Sequence, residues 1–556
     1  MHRLLPRRHQ PGLPLERLLL REPPGVEALE MDVLFVGAGP AGLAGAIELA
    51  RLVRLDQAAG GTGPELAIGV LEKAGSLGEH SLSGAVVNPR ALRELFPDLK
   101  DTDFPFRQPV GREAVYYLTR SGAVPIPTPP TMHNQGYHTA SLSELVRWLG
   151  EQAEALGVNL FPGFPAEALL VEGSTVRGVR TTASGLDREG NPTATYQAPT
   201  DVTARVTVLT EGTRGTLGQA YREWQDIGSP NPQIFALGVK EVWQVKRPLD
   251  RVIHTLGWPL PANAFGGSFL YPLGPEQVAL GLVVGLDYPQ ANLDVHVLLQ
   301  LLKQHPLIRP VLEGGELLEW GAKTIPEGGY FALPERRSGA GLLMAGDTAG
   351  FVDVSSLKGV HYAMQSGIFA ARAAFQALRR EDVSAASLAA YDRMVDQSYI
   401  VQDLYRTRNM RLAFKGGLVL GALKAGLMTL TGGRFPGRRI RVPEDAAEER
   451  VIPASGDGAA EGFIADGTLT VSKVDAVFKS GNATRDTIPQ HLLVGKEVSA
   501  EVADFYSHLC PAGVYERVGD RLRVNSPNCV DCKATDVLGP RWTPREGGSG
   551  PKYRMM

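Results

Sequence analysis

The sequence predicts a mixed α/β and α+β protein of several domains, and three observations support this fold class. A buried strand near the N-terminus runs into a glycine-rich turn and a helix, which is the opening of a parallel α/β fold. A second buried strand within residues 338–350 ends in glycines and an aspartate and precedes another long helix. Between the two lies a β-rich region, and the chain's three cysteines all come after residue 509.

Length and composition limit the possible functions. At 556 residues the chain exceeds one ordinary hydrophobic core, so we expect about two to four domains. With 43% hydrophobic residues and a net charge of −3, the chain is a globular protein without a broad nucleic-acid surface. No apolar run reaches the roughly 18 residues that span a bilayer. Residues 1–29 lack the apolar core of a secretory signal, and we expect them to form a flexible tail.

The turn after the first strand has the pattern of a dinucleotide site. Gly37, Gly39 and Gly42 form G-x-G-x-x-G. Gly37 permits the tight turn, Gly39 lets the backbone approach a pyrophosphate, and Gly42 lets the helix pack closely on the strand. The next strand ends at Glu72, where an acid can bind the ribose hydroxyls.

A second constellation predicts that the dinucleotide is FAD. Gly346 and Asp347 follow a buried strand, and Gly359 precedes a long helix, as in FAD enzymes of the glutathione-reductase-like class. There the aspartate accepts hydrogen bonds from the ribityl hydroxyls, and the helix dipole stabilises the reduced flavin. The loop that contains Ser83 and Gly84 is expected to wrap this cofactor. No second G-x-G-x-x-G follows another strand, so the sequence offers no evident NAD(P)H site.

The chain divides into five parts after the tail. We predict a discontinuous FAD-binding domain (30–105, 160–232 and 335–400), an inserted β-rich substrate domain (106–159 and 233–334), an apolar and basic helical segment (401–441), a linker (442–466) and a cysteine-containing domain (467–556). The helical segment is either an ordinary buried helix with a basic flank or a helix that lies in a membrane interface.

The cysteines favour a metal or cluster site. Cys510, Cys529 and Cys532 are an odd number in one segment, which is not a disulfide framework. Cluster iron needs soft thiolates, and C-x-x-C places two of them on one turn with backbone N–H groups facing the sulfurs. The segment therefore resembles a ferredoxin-type iron–sulfur domain in a reducing compartment.

With these motifs in view, the chain resembles the electron-transfer flavoprotein–ubiquinone oxidoreductase family over nearly its whole length. Further stretches that carry the resemblance are Leu82–Gly84, Gly257–Leu260, Gly266–Tyr271, Ala279–Tyr288 and Gly547–Pro551. The resemblance implies a peripheral membrane enzyme with FAD, quinone and iron–sulfur domains. It implies electrons taken singly from reduced electron-transfer flavoprotein and delivered in pairs to ubiquinone. The implied location is the cytoplasmic face of a bacterial inner membrane, or the matrix face of the mitochondrial one.

The resemblance also assigns site residues. Quinone contacts fall on Gly266 and Gly267, which lack side chains that would block the headgroup, with Tyr271 as a nearby polar partner. No catalytic acid or nucleophile is implied, because the protein places the cofactors and tunes their potentials. The membrane-facing elements correspond to the segment around 418–430, which favours the interfacial alternative.

The implied cluster ligands are Cys510, Cys529 and Cys532, but the family's fourth cysteine falls at Thr535, whose hydroxyl is a poor iron ligand. Three outcomes stay open: a [4Fe-4S] cluster with an exogenous or carboxylate fourth ligand (Asp536 or Asp531), a [3Fe-4S] cluster, or no cluster. Two alternative functions also stay open. One is an FAD-dependent reductase or hydroxylase related to the geranylgeranyl reductases, and the other is an electron-relay subunit whose vestigial cluster domain only docks.

Overall fold

The computed structural model describes residues 3–60, 66–453 and 462–556. The strands are β1 (Arg3–Leu4), β2 (Leu19–Leu20), β3 (Leu29–Val36), β4 (Ile68–Glu72), β5 (Val86–Val87), β6 (Phe106–Pro109), β7 (Arg112–Leu118), β8 (Ala123–Ile126), β9 (His138–Ala140), β10 (Asn159–Pro162), β11 (Ala166–Glu172), β12 (Thr175–Thr181), β13 (Ser184–Leu186), β14 (Pro192–Gln197), β15 (Asp201–Leu209), β16 (Phe235–Gln244), β17 (Arg251–Gly257), β18 (Gly266–Pro272), β19 (Gln277–Gly285), β20 (Glu316–Pro326), β21 (Ser338–Gly339), β22 (Leu342–Met344), β23 (Arg450–Val451), β24 (Leu492–Leu493), β25 (Tyr515–Val518), β26 (Arg521–Val524) and β27 (Arg541–Trp542).

The α-helices are α1 (Leu15–Leu18), α2 (Pro40–Ala58), α3 (Arg90–Leu95), α4 (Leu142–Ala155), α5 (Thr216–Trp224), α6 (Val295–Lys303), α7 (Arg309–Leu312), α8 (Val360–Arg379), α9 (Ala385–Asp396), α10 (Tyr399–Arg406), α11 (Met410–Ala413), α12 (Leu418–Leu430), α13 (Lys473–Lys479), α14 (Ala500–Leu509) and α15 (Ala534–Leu538).

A nine-stranded sheet forms the centre of the first core. Its order is β10-β4-β3-β15-β12-β11-β2, with β22 also paired to β15 and β21 to β22. The pairs around β3 are parallel, and the apolar end of β3 is fully enclosed, as expected for a strand between helical layers. Helices α2 and α8 pack closely at Gly367, which has no side chain. A Cβ there would stand 2.0 Å from the carbonyl oxygen of Ala41.

A seven-stranded sheet forms the second core, in the order β20-β16-β19-β18-β17-β7-β8. It is antiparallel except for the β17–β7 pair. Its hydrophobic cluster includes Trp243 and Trp320 and continues through Tyr506 and Cys510. The inserted sheet and the C-terminal cysteine domain therefore share one hydrophobic core. This architecture agrees with the predicted fold class.

The prediction of a flexible N-terminal tail was wrong for the described part of residues 1–29. β1 pairs with β23 and β2 pairs with β11, and Leu4 and Leu18 are buried. The side chain of Gln10 donates hydrogen bonds to the carbonyl oxygens of Asp536 and Val537. Local composition could not show these pairings, because every partner lies far away in the sequence. Residues 1–2 lie outside the described residues.

Two predicted domain boundaries also need correction. Helix α4 lies in the predicted insert 106–159, but it packs against α2 in the first core, whereas β7 and β8 do join the second sheet. In the predicted linker, Asp445 and Arg450 are buried and β23 pairs with β1, so residues 442–453 are part of the folded core. Polar composition suggested a linker, yet these groups pair inside the protein. Residues 454–461 lie outside the described part.

Candidate functional site

The predicted glycine-rich turn lies between β3 and α2, and each glycine has different surroundings. Gly37 has a φ of +113°, and a Cβ there would stand 2.5 Å from the carbonyl oxygen of Thr210. A Cβ on Gly42 would stand 2.0 Å from the carbonyl oxygen of Gly37. Gly39 has no heavy atom within 4 Å of such a Cβ, and it lines the main cavity. Gly37 and Gly42 therefore serve the packing of the turn, while Gly39 leaves space for a ligand.

Glu72 ends β4 beside this turn. Its Oε2 accepts a hydrogen bond from the Ala38 N–H at 3.0 Å, and its Oε1 accepts one from the Ala74 N–H at 2.8 Å. An ionised carboxylate has about four acceptor sites, so capacity for ribose hydroxyls remains. Ser83 and Gly84 lie in the loop that follows and line the cavity.

Asp347 faces the same cavity from the second half of the fold. The Thr213 hydroxyl donates a hydrogen bond to its Oδ2 at 3.2 Å. Burial raises the pKa of Asp347 to about 6, since a carboxylate loses hydration there. Gly346 and Gly359 also line the cavity, and Gly359 caps the N-terminus of α8. The positive end of a 20-residue helix is thus directed at this space.

One continuous cavity of about 1380 Å³ is lined by residues of both the predicted FAD site and the predicted quinone site, but not by Glu72 or the cysteines. Its wall includes Gly39 and Asp347 of the first core, Gly266 and Gly267 of β18, and Leu430 of α12. The volume exceeds the about 300–1,000 Å³ of a typical single-ligand pocket. The cavity has room for a dinucleotide and a second organic molecule end to end.

Strand β18 forms the middle of the cavity wall. Gly267, Phe269 and Tyr271 share one face, because side chains alternate along a strand. The Tyr271 hydroxyl and His254 Nε2 share a hydrogen bond of 2.5 Å, and both residues are buried. Burial lowers the pKa of His254 to about 3, so the imidazole is neutral at physiological pH. The pair is a polar point in a wall that is otherwise mainly apolar.

Gly266 and Gly267 are close-packed as well as cavity-lining. A Cβ at Gly266 would stand 2.2 Å from the carbonyl oxygen of Val283, and one at Gly267 would stand 2.6 Å from that of Thr255. Both contacts are with neighbouring strands of the same sheet. A side chain at either position would therefore disturb the sheet as well as the pocket.

Helix α12 closes the far end of the cavity and exposes an apolar stripe. Leu420, Leu423, Leu427 and Leu430 recur at helical spacing and are 56%, 61%, 45% and 85% exposed. On the cavity side the helix presents Ala425, Gly426 and Thr429, among others. Exposed arginines follow the helix at positions 434, 438, 439 and 441. Among the described residues, no helix is long and apolar enough to cross a bilayer.

The three cysteines are buried and unbridged. Backbone N–H groups face their sulfurs, from Ala512, Val514 and Tyr515 for Cys510, from Asp531 for Cys529, and from Ala534 for Cys532. Asp531 and Lys533 on either side of Cys532 have left-handed φ values of 54° and 68°, which turn neighbouring N–H groups inward. Such a concave N–H surface suits an anionic iron–sulfur cluster.

The comparisons with known proteins identify the family. Residues 235–325 match the family model "ETF-QO, ubiquinone-binding", and residues 467–554 match "Electron transfer flavoprotein-ubiquinone oxidoreductase, 4Fe-4S". The mitochondrial electron transfer flavoprotein-ubiquinone oxidoreductase of Oryza sativa subsp. japonica is 37% identical over 96% of this chain and 94% of its own length. The human protein of that name is 37% identical over 95% of this chain and 90% of its own. The chain belongs to this oxidoreductase family.

A solved structure supports the fold. A geranylgeranyl bacteriochlorophyll reductase-like protein from Thermoplasma acidophilum covers 72% of this chain and 90% of its own, with a TM-score of 0.55 and 18% identity. At that identity the likeness shows the fold alone. The relatives that match nearly the whole chain all belong to the oxidoreductase family, which confirms the predicted resemblance. They favour this family over the alternative of a geranylgeranyl-reductase-type enzyme.

The residues around the cavity fit an FAD of this family. Gly39 leaves an open space at the N-terminus of α2, and Asp347 offers a cavity-facing carboxylate near the N-terminus of α8. The cysteine pocket fits a cluster at three positions, but Thr535 offers only a hydroxyl at the fourth. Both sites approach each other at β20, where Lys323 lines the cavity and the Thr324 N–H donates to the Cys532 carbonyl oxygen at 2.9 Å.

Sequence reasoning missed two site residues, His254 and Lys323. It also missed that the carboxylates of Asp531 and Asp536 are already paired with basic side chains. No local motif marks His254, because its partner Tyr271 lies on a neighbouring strand. Lys323 lies in the long strand β20, where no local motif marks it as a site residue. The charges at Asp531 and Asp536 pair with residues up to 458 positions away, which a local pattern cannot indicate.

Proposed function

We propose that this enzyme takes electrons from reduced electron-transfer flavoprotein and delivers them to a membrane quinone, ubiquinone in the first instance. The observation that supports the proposal most strongly is the continuous cavity from Gly39 and Asp347 past Gly267 to α12. A nucleotide-sized end and an apolar end in one cavity suit a water-soluble cofactor beside a lipid-soluble acceptor. The family membership supports the same reaction.

The proposed FAD site uses both halves of the first core. The pyrophosphate would lie at Gly39 and the N-terminus of α2, where free N–H groups face it. Glu72 would hold the ribose, Asp347 the ribityl hydroxyls, and Ser83 with Gly84 the loop side. Bound FAD supplies a centre that can be reduced by one or two electrons. The N-terminus of α8 at Gly359 favours the negative charge that reduction adds.

The proposed quinone site lies between β18 and α12. Gly266 and Gly267 let a planar headgroup lie against the backbone, and the apolar lining of α12 suits an isoprenoid tail. Reduction of a quinone takes up two protons. The Tyr271 hydroxyl donates one of these protons at the pocket wall, while water supplies the second and reprotonates Tyr271. The hydrogen bond to neutral His254 Nε2 orients the hydroxyl. Tyr271 is therefore a proton donor in this proposal, as well as a polar contact.

The proposed membrane contact is the stripe of exposed leucines on α12 and the arginines that follow it. An apolar helix face lying in the interface, with basic side chains at headgroup level, binds anionic lipid surfaces without crossing them. A quinone could then enter the cavity directly from the lipid. We propose attachment to the cytoplasmic face of a bacterial inner membrane, or to the matrix face of a mitochondrial one.

The proposed second redox site is an iron–sulfur cluster on Cys510, Cys529 and Cys532. Its pocket shares a hydrogen bond with β20, and β20 also lines the flavin end of the cavity. The shared strand would place a bound cluster and a bound flavin on either side of β20, an arrangement that suits one-electron exchange. An electron-relay subunit with an empty cluster pocket is less well supported, because the pocket keeps its inward N–H groups.

Anaerobic mixing of the FAD-loaded protein with reduced electron-transfer flavoprotein and a short-chain ubiquinone tests the proposal. We expect quinone reduction, and none when NADPH replaces the flavoprotein. In Tyr271→Phe, FAD content and flavin reduction should persist while quinone reduction slows on the order of 100-fold, the size of a lost proton donor. Tyr117→Phe at the exposed cavity rim is the control.

Two results would reject parts of this proposal. Failure of reduced electron-transfer flavoprotein to reduce the bound flavin would reject the proposed electron source. A Tyr271→Phe variant that reduces quinone at the unaltered rate would remove Tyr271 from the proton path and point to a quinone site elsewhere in the cavity.

A further inference from the structure

The number of cysteines sets a limit on the cluster. The full sequence contains three cysteines, and all three lie in the pocket. A [4Fe-4S] cubane needs a ligand for each of four irons. The fourth iron would have to take a ligand other than a thiolate, and the structure shows what the pocket offers there. This inference rests on the proposed function for the presence of a cluster.

Two residues with hydroxyl groups, Tyr515 and Thr535, lie beside the three cysteines. The Tyr515 side chain is near all three thiols and near the Thr535 side chain. Both residues are buried, at 3% and 8% exposure, so little space remains for solvent to reach this corner. A neutral hydroxyl is a hard, weak donor, whereas cluster iron prefers soft thiolate.

The two nearby carboxylates are already engaged. Asp531 Oδ1 accepts hydrogen bonds of 2.9 Å from Trp542 Nε1 and from Arg545 Nη2, and Oδ2 pairs with Lys73 Nζ. Asp531 is 1% exposed, so its carboxylate depends on these partners in place of water. A carboxylate that turned toward iron would leave the buried Arg545 and the partly exposed Lys73 without their partner, which is unfavourable above all for the buried arginine.

Asp536 is held in the same way. Arg214 Nε donates to Asp536 Oδ2 at 2.8 Å, and the Trp542 N–H donates to Oδ1 at 3.1 Å. Asp536 immediately follows Thr535, but its carboxylate forms an ion pair with Arg214, which links α15 to the first core. Neither carboxylate is therefore available as a fourth ligand.

His491 is the remaining side chain that needs consideration. It is buried, and neither of its ring nitrogens has a hydrogen-bond partner among the described residues. A ring nitrogen, the Cys529 sulfur and an Asp531 oxygen lie within 4.8 Å of one another. Cys510 and Cys532 do not belong to this group of three, so the structure places His491 beside Cys529 and not among all three thiolates.

We propose that the domain holds a three-iron [3Fe-4S] centre on Cys510, Cys529 and Cys532, with no iron at the corner that faces Thr535. Three thiolates hold the three irons, and the inward N–H groups donate hydrogen bonds to the thiolate sulfurs. The fourth corner has only buried hydroxyls, because the carboxylates are paired and His491 lies to one side. This assigns a cluster type different from the one named in the matching family model.

Iron counting and spectroscopy on anaerobically purified full-length protein test the proposal. We expect about three irons per chain, and a paramagnetic centre in the oxidised protein, since an oxidised [3Fe-4S] cluster has an unpaired electron. Thr535→Cys adds the missing thiolate, and we expect about four irons per chain with loss of the oxidised signal by electron paramagnetic resonance. Thr535→Ser, which keeps the hydroxyl, and His491→Ala should both resemble the unaltered protein.

Several results would overturn the inference. Four irons per chain that fall to three in His491→Ala would make the histidine the fourth ligand. Four irons that all variants retain would show an exogenous ligand, and an iron-free protein would show an empty pocket. These outcomes are independent of the flavin function, because FAD content and quinone reduction are measured separately. Three irons without oxidation of reduced electron-transfer flavoprotein would instead reject the function and leave the cluster assignment intact.

Discussion

The exposed leucines of α12 allow a quantitative test of the proposed membrane contact. Complete burial of one leucine is worth about 1.5–3 kcal/mol. Leu423 is 61% exposed, so its transfer into the interface would contribute about 1–2 kcal/mol. Leu423→Ser should therefore weaken binding to anionic vesicles about five- to thirtyfold, since 1.4 kcal/mol is tenfold. Adding Leu427→Ser, at a site that is 45% exposed, should weaken binding by about a further three- to tenfold.

The chain offers a matched control. Leu55 is 64% exposed on the outer side of α2, a helix that packs on the first core and does not belong to the basic segment after α12. Leu55→Ser removes the same group from an equally exposed site. Both substitutions are at the surface, so thermal unfolding should change little.

Vesicle sedimentation measures binding, and two activity assays add a functional readout. Leu423→Ser should lose turnover with a long-chain quinone held in vesicles while keeping turnover with a short-chain, water-soluble quinone. Unchanged vesicle binding in Leu423→Ser, or an equal loss in Leu55→Ser, would refute the assignment of α12 as the membrane contact.

Two further predictions concern the FAD end of the cavity. Gly42→Ala places a Cβ 2.0 Å from the Gly37 carbonyl oxygen and should lower both FAD content and stability. Gly39→Ala places a Cβ with no heavy atom within 4 Å and should lower FAD content with little loss of stability. Flavin absorbance measures FAD content and thermal unfolding measures stability, and equal stability losses in the two variants would contradict the packing argument. The pKa of Asp347 rises from 3.8 to about 6 on folding, so its favourable contribution is complete below pH 4 and is lost as the pH rises through 6. Flavin-free Asp347→Asn should accordingly be more stable than the unaltered chain at pH 7 by about 3 kcal/mol, with no gain below about pH 4; urea unfolding across this range measures it, and a gain that is independent of pH would count against the assignment.

Much of the candidate site could be predicted because its signals are local. Gly37, Gly39 and Gly42 fall within six consecutive residues of one turn, and a turn of this kind requires glycine whatever the rest of the chain does. Asp347 follows a buried strand directly, and Cys529 and Cys532 are three positions apart. In each case neighbouring residues in the sequence meet one structural requirement, so the pattern is readable without the fold.

The sequence by itself thus determined the cofactor-sized turn, the second acidic turn, the cysteine ligands and the total of three thiolates. Only the tertiary structure decided that one cavity extends from Gly39 to α12 and that His254 forms a hydrogen bond with Tyr271. It also decided that Asp531 pairs with Lys73 and Arg545, and that Asp536 pairs with Arg214. The tertiary structure also decided that the N-terminal segment contributes a strand to each of two sheets, β1 beside β23 and β2 beside β11. The physical reason is that buried charges and paired strands choose partners by proximity in space, and those partners lie hundreds of residues apart along the chain.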